Sequence, residues 1–325
     1  MQNIFFFSPH FEEKIWGGDR LSKWGYPIPS QNTGEAWCIS AISEKETIIT
    51  NGPHSGKTLA EVYDRFPSFF YGKRIGNKKK SFPLLIKLLD ANQDLSIQVH
   101  PSDQYAQRHD LGEFGKTECW YVIEAPENAH LIYGTKATTR EDLAEKIKRE
   151  EWNSLFIKKA IKVGDFIPVP AGKVHALTAG VMVLEIQQSS DTTFRIYDYG
   201  RRDDQGHLRD LHIEEAIQVI TIPDEGSHLQ LHESYEMGIS TTEYDMGASF
   251  QVSRLTGKNA RGSVIEKNKQ YQLFTVLNGS GNIQIEDDIY PFSQGDSFMI
   301  PAGVPCYKLQ GTFEIFRSEE KLETL

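Results

Sequence analysis

Cysteine is scarce in this chain: Cys38, Cys119 and Cys306 are its only thiols, widely spaced and without a CxxC pair. An odd, scattered set argues against a disulfide framework and for free thiols in a reducing, cytoplasmic setting. No run of 18 apolar residues occurs, so no helix is expected to span a membrane. The N-terminal stretch MQNIFFFSPHFEEKIWGG has a short apolar patch but no basic leader and no small-residue cleavage site. No signal peptide is therefore expected. A long Lys/Arg stripe is also missing, and the net charge is −10 over 325 residues, so nucleic acid is not an expected partner. The short basic run Asn77-Lys78-Lys79-Lys80, between Gly76 and Pro83, reads as a solvated loop. An anionic ligand would be repelled at long range, so binding one requires cations concentrated inside a pocket.

Hydrophobic residues make up 39 % of the chain and charged residues 25 %, which is globular composition rather than disorder. The length suits two core domains. Short apolar runs bounded by Gly, Pro, Asn or Asp predict strands at 83–91, 95–101, 118–125, 181–188, 272–279 and 281–288. Regular short strands of this kind suggest a sandwich or barrel. Helices are predicted at 58–66, from Thr139 to about Trp152, and at 211–220. Thr139-Arg-Glu-Asp142 has capping-box spacing, and Asp210 is the candidate N-cap of the third helix. The polar stretch 224–235 is the candidate linker.

An internal repeat organises the rest. Gly164-Asp165-Phe166-Ile167-Pro168-Val169-Pro170-Ala171-Gly172-Lys173-Val174-His175 matches Gly295-Asp296-Ser297-Phe298-Met299-Ile300-Pro301-Ala302-Gly303-Val304-Pro305-Cys306, 131 residues on. Gly-Asp, Pro-Ala-Gly and the final position fall at equal offsets, each copy a turn, a strand and a second turn. So long a period indicates two homologous domains. Gly-x5-Pro-x-Gly-x2-His resembles the second motif of the cupin superfamily, which implies a mainly β fold of two jelly-roll β-barrel domains with a few peripheral helices. In cupins that His is a metal ligand at the barrel mouth. The second copy ends in Cys306, which implies a metal-free domain. We expect a catalytic, metal-binding cupin with helical insertions at 1–235 and a metal-free cupin at 236–325.

Gln98 and His100 are two apart in a strand and share a face. Glu118 opens the next aromatic-rich strand. If that strand reaches back far enough, Lys116 points the same way as Glu118 and Cys119 points away. With His175 these give two imidazoles, a carboxylate and an amide oxygen, a set that suits a borderline divalent ion and leaves a position open. Zinc is the leading candidate, one ion per chain. Taken singly, each residue has a plainer explanation: a strand His is more often a hydrogen-bonded structural residue, and a Glu at a strand end is usually solvated. Only the cupin frame joins them.

The surrounding text narrows the family. Ile15-Trp16-Gly17-Gly18, Gly34-Glu35-Ala36-Trp37, Pro83-Leu84-Leu85-Ile86-Lys87, Ser96-Ile97-Gln98-Val99-His100-Pro101, Gly115-Lys116-Thr117-Glu118 and Ser190-Asp191-Thr192-Thr193-Phe194-Arg195 occur in this order. The series resembles the type I phosphomannose isomerases in their short bacterial form, over nearly the whole chain. Lys-Thr-Glu stands where many members have Lys-Pro-Glu, and the large helical domain of the eukaryotic enzymes is missing. The resemblance implies interconversion of mannose 6-phosphate and fructose 6-phosphate through a cis-enediol, with a hexose phosphate as the partner and a monomer or weak dimer as the assembly.

That chemistry needs an electrophile, a base and a cationic clamp. Arg195 corresponds to the family's catalytic Arg, and Lys116 shares a face with Glu118. Lys87 sits in a strand apolar on both faces, where a Lys is costly unless paired. Asp191, four residues before Arg195, is a candidate to orient Arg195 or Lys116. Glu185 is a candidate base or supporting carboxylate. The sequence leaves the base open between Glu185, a Lys of depressed pKa and a metal-bound hydroxide, and leaves the phosphate contacts open, with Lys116 and Lys87 as contributors. Two other readings share these residues. Two His and one Glu also make the facial triad of an iron oxygenase, although Gln98 as a fourth ligand weighs against it. A non-catalytic sugar-phosphate-binding cupin is the other, and retention of Arg195 and Lys116 weighs against that.

Overall fold

The computed structural model describes residues 3–73, 76, 78–203, 205–266 and 270–321. Asn77 of the basic run and the last residues of the 236–325 unit lie outside them. The fold is mainly β, in three antiparallel sheets. A six-stranded sheet runs Phe166–Val169, Glu118–Glu124, Met182–Gln188, Leu84–Asp90, Thr33–Ile39, His10–Glu13. A five-stranded sheet runs Phe194–Tyr197, Ile97–Val99, His175–Ala176, His130–Thr135, Phe156–Ala160. The N-terminal jelly roll is thus two facing sheets, not a closed hydrogen-bonded barrel.

The third sheet has nine strands and holds the C-terminal half. It also takes in Phe5–Ser8, which pairs with Ser297–Ile300, and Ile48–Ile49 beyond it. The first strand of the chain therefore stitches the N-terminal half onto the C-terminal sheet.

The two-faced apolar character of Leu84–Asp90 now has a cause. Leu84, Ile86 and Leu88 face a core shared with Leu273, Met299 and Phe316 of the C-terminal half. Leu89 faces the interior of the N-terminal jelly roll, with Trp120, Val183 and Leu131. The C-terminal half and the N-terminal helical residues Leu59, Val62, Tyr63 and Phe70 pack against that face of the six-stranded sheet, which is why its central strands are apolar there as well.

The repeat is real in three dimensions. Gly164 and Gly295 both have φ of 91°, and Gly172 and Gly303 have φ of 83° and 89°. In each copy the Asp after the first Gly accepts a backbone N–H from three residues earlier, Lys162 at 3.0 Å and Ser293 at 2.7 Å. A side chain at any of the four glycines would be strained in the left-handed region.

Several local expectations shift. The two strands predicted at 272–279 and 281–288 are one strand, Gln272–Ile285. Asn278-Gly279 continues the ladder rather than making a turn, just after a bulge at Leu277 that shifts the register between Val276 and Asn278. The candidate linker contains the strand Gln230–Glu236, turned into Ile239–Asp245 by Met237 and Gly238, both at positive φ. Asp224 of that stretch is not linker either, because it forms an ion pair with the buried Lys173. The third helix begins at Ile213 with His212 at its N-cap, not Asp210. His212 is held in a strand-like pair with Arg195, its N–H donating to the Arg195 carbonyl at 2.7 Å, which delays the helix. The second helix ends at Lys148 and a short turn of helix, Trp152–Leu155, follows. Thr139 caps it by accepting from the Asp142 N–H, but Asp142 reaches back to Thr138 rather than Thr139.

Candidate metal centre and active site

Register builds the site as two facing rows. In the six-stranded sheet Trp37, Lys87, Glu185 and Trp120 stand opposite one another on successive strands. In the five-stranded sheet Arg195, Gln98, His175 and Tyr133 do the same. Residues directly opposite share a face, so each row aims its side chains in one direction. Glu118 lies two before Trp120 and Glu35 two before Trp37, which places both carboxylates on the face of the first row.

His100, Glu118 and His175 converge, all buried, with ligand atoms within 4.8 Å of one another. The Nε2 atoms of the two imidazoles are 3.2 Å apart. Glu118 Oε2 lies 3.4 Å from His100 Nε2, and Oε1 lies 3.3 Å from His175 Nε2. The Nδ1 atoms point outward, to the Thr192 carbonyl at 3.0 Å and the Lys173 carbonyl at 2.8 Å. A carbonyl only accepts, so each Nδ1 carries the ring proton and each Nε2 presents a lone pair. Burial pushes the His100 pKa down to about 3 and lowers that of His175 too, which keeps both rings neutral. Burial alone would raise the Glu118 carboxyl, but its charged surroundings, the Lys116 ammonium foremost, outweigh it and hold it low. Neither Glu118 oxygen has a hydrogen-bond partner. Two bare nitrogens and an anionic carboxylate thus face each other with no proton between them, an arrangement that a cation at their centre would satisfy. Gln98 extends the set, its amide 3.4 Å from His175 Nε2. A rotation of the amide presents its oxygen there instead.

A cavity of about 160 Å³ opens beside the triad, lined by Gln98, Lys116, Lys87, Glu185 and Arg195 among others. Lys116 precedes the strand that begins at Glu118, yet its Nζ is 3.3 Å from Glu118 Oε2. Lys87 lies between Glu35 at 3.8 Å and Glu185 at 3.6 Å, over the face of Trp37 at 4.3 Å. This is the pairing that its buried position demands. Burial would lower the Lys87 pKa, but the two carboxylates outweigh that and raise it. A depressed-pKa role is therefore closed to Lys87.

The two carboxylates beside Lys87 are driven apart. Burial, and then the charge of Glu118, push the Glu185 pKa up to about 7. At Glu35 burial acts the same way, but Lys87 and Lys14, with a hydrogen bond from Trp37, prevail and keep it below the usual range. Glu185 Oε2 accepts from Trp120 Nε1 at 2.8 Å.

Asp191 lines the same cavity, but its ion pair is with Lys45 at 2.8 Å, not with Arg195 or Lys116. Lys45 comes from the loop after Thr33–Ile39, and its Nζ reaches across from Glu12, 3.5 Å away. Arg195 is half-exposed, and its Nη1 is 3.5 Å from the Asp210 carbonyl.

Comparison with known proteins follows from this geometry. A model of the type I phosphomannose isomerase catalytic domain matches residues 4–127, and one of the mannose-6-phosphate isomerase cupin domain matches residues 245–320. The mannose-6-phosphate isomerase ManA of Bacillus subtilis (strain 168) is 44 % identical over 311 residues, 95 % of this chain and 96 % of the relative. The chain belongs to the type I phosphomannose isomerase family. A mannose-6-phosphate isomerase of Streptococcus mutans serotype c is 42 % identical over 321 residues, 98 % of either chain. The crystal structure of the Bacillus subtilis mannose 6-phosphate isomerase superposes with a TM-score of 0.93 at 39 % identity, covering 98 % of this chain and all of the other, 100 %. The apo enzyme from Salmonella typhimurium shares the fold at a TM-score of 0.78 and 15 % identity, covering 99 % of this chain and 100 % of its own.

Within this phosphomannose isomerase site, reasoning from the sequence missed Lys14, Glu35, Trp16 and Arg209, all of which line the cavity. Lys14, Trp16 and Glu35 lie inside or beside motifs that carried the family resemblance, so position in a motif was their available signal. Arg209 had none, because it sits in an exposed polar stretch that reads as surface.

Proposed function

We propose that this chain interconverts mannose 6-phosphate and fructose 6-phosphate as a metal-dependent aldose–ketose isomerase, with zinc as its ion. The observation that carries the metal dependence is the His100–Glu118–His175 cluster, two imidazole lone pairs and a buried carboxylate without a hydrogen-bond partner, turned on one point. Those three, with Gln98, would hold the ion, and a nitrogen–oxygen donor set of this kind suits zinc. When bound, the ion polarises the sugar's carbonyl and hydroxyl oxygens.

The remaining steps fall to the chain's own side chains. Glu185 is the base: its pKa near 7 lets it accept and return a carbon-bound proton at neutral pH. The Trp120 N–H fixes Oε2, which leaves Oε1 to carry the proton from C2 to C1 on one face of the cis-enediol. Lys87, kept charged by Glu35, favours the deprotonated form of Glu185 that accepts the proton. Arg195, a permanent cation next to Gln98 in register, spreads the charge of the enediolate. Trp16, Trp120 and Leu89 form apolar walls that limit water at the reacting carbons. Two of the three free thiols are buried, which fits a reducing cytoplasm. Turnover of mannose 6-phosphate before and after metal removal tests the proposal.

A further inference from the structure

Five cations line the cavity: Lys14, Lys87, Lys116, Arg195 and Arg209. The lysines are matched by carboxylates at close range. Lys14 has Glu12 at 3.2 Å and Glu35 at 3.5 Å, Lys87 has Glu35 and Glu185, and Lys116 has Glu118. The arginine end differs. Arg209 grips Asp198 with two bonds, Nε to Oδ2 at 2.8 Å and Nη2 to Oδ1 at 2.5 Å. Arg201 takes the same Oδ1 at 2.5 Å. Arg195 has no carboxylate at ion-pair distance among the described residues, only the Asp210 carbonyl. Arg201 and Arg209 therefore share one carboxylate and Arg195 contacts none among the described residues, and Arg195 and Arg209 both lie on the cavity wall. Burial, and next to it the charge of Arg209, lowers the Arg195 pKa, a sign that the two cations crowd each other.

Phe194 pairs with Val99 and Tyr197 with Ile97, so the strand Phe194–Tyr197 runs away from His100. Asp198 follows its last residue, and Arg209 is clamped there. The cavity thus has a metal-cluster end at His100 and His175 and a cationic end at Arg209, with Arg195 between. A hexose 6-phosphate has the same polarity: reacting carbons at one end and a dianion four carbons away at the other.

We infer that Arg209, fixed by Asp198 and flanked by Arg195, seats the 6-phosphate of the substrate. The inference rests on the isomerase reading for the identity of the ligand. It does so through chemistry that any phosphate monoester shares. The bidentate bond to Asp198 leaves Arg209 Nη1 without a partner among the described residues, a pre-oriented donor for an anion. Arg209 is a binding residue that sets the preference for phosphorylated over free sugars. Asp198 positions it.

The test is paired: steady-state kinetics with mannose 6-phosphate, and calorimetric titration of the metal-loaded protein with inorganic phosphate and with fructose 6-phosphate. Arg209→Met should raise KM by roughly 10-fold or more while kcat stays within about 3-fold. Phosphate affinity should fall by a similar factor. Arg209→Lys should recover part of the loss, because charge returns without the planar fork. Asp198→Asn is the second variant and should shift KM in the same direction by less. Wild-type phosphate affinity and KM in folded Arg209→Met, or in folded Asp198→Asn if the first variant does not fold, would overturn the seat. A wild-type protein that binds phosphate through Arg209 but does not turn over mannose 6-phosphate would keep the seat and refute the isomerase reading. Turnover by the wild type with unaltered phosphate binding in the variants would do the reverse.

Discussion

His100 and His175 face each other through unprotonated Nε2 atoms 3.2 Å apart, each ring keeping its proton on Nδ1 and donating it in a hydrogen bond to a backbone carbonyl. Two lone pairs at that separation repel unless a cation lies between them. The arrangement predicts one tightly held metal ion per chain. Elemental analysis of the purified protein should give one equivalent, and a His100→Ala/His175→Ala variant should have none. Two equivalents at full occupancy, or metal retained in the double variant, would contradict it.

Arg195 stands between the metal cluster and the clamped Arg209. Its charge should therefore matter more to the enediolate than to the resting substrate. Arg195→Ala should lower kcat by roughly 100-fold or more, a larger factor than its effect on KM. Arg195→Lys should restore only part of it. A large rise in KM with normal kcat would move Arg195 into the phosphate seat.

Much of this site was legible before the fold. The spacing of Gln98 to His100, the Lys116–Glu118 pair and the terminal His175 of the repeat each rest on strand alternation or a turn motif, and such local rules survive folding. Lys87 was legible through its cost, since a Lys in a strand apolar on both faces must be paired. The ion-pair partner of Asp191 was not legible, because Lys45 lies 146 residues away in sequence, beyond any local rule. Arg209 was missed for the same reason: its place depends on how the segment after Tyr197 folds back onto Asp198. Asn278-Gly279 and Asp210 show a different limit. Turn and cap chemistry was present at both, but a long continuous ladder and the backbone bond from His212 to Arg195 took precedence.

The seam between the halves carries its own pH signature. Burial pushes the Glu320 pKa up to about 7, although its bond from the Tyr71 hydroxyl at 3.0 Å pulls the other way. The folded state thus holds this proton more tightly than the unfolded chain does. The stabilising contribution is whole below pH ~4.5 and is lost as pH rises through about 7. Glu320→Gln should leave stability near pH 5 little changed and raise it at pH 8 by on the order of 1–2 kcal/mol. Urea denaturation at both pH values measures it. An equal shift at both would remove Glu320 as the cause.

Cys306 occupies the repeat position of His175, and no histidine follows His232. The C-terminal unit is proposed as a structural partner that covers the six-stranded sheet. Cys306→Ser should leave turnover and metal content within about 2-fold of the unaltered protein, as for a half-buried residue away from the site. Loss of activity in a folded Cys306→Ser protein would sink that assignment.

Isomerisation is proposed to depend on a metal ion held by the His100–Glu118–His175 cluster. The most direct measurement is a coupled assay that follows fructose 6-phosphate formed from mannose 6-phosphate, run on protein as isolated, after chelator treatment and after zinc is restored. Expected are turnover as isolated, a loss of roughly 100-fold or more on stripping, and recovery with one equivalent of zinc. Full activity in stripped protein whose metal content is verified as nil, or no turnover by the zinc-loaded protein, would contradict it.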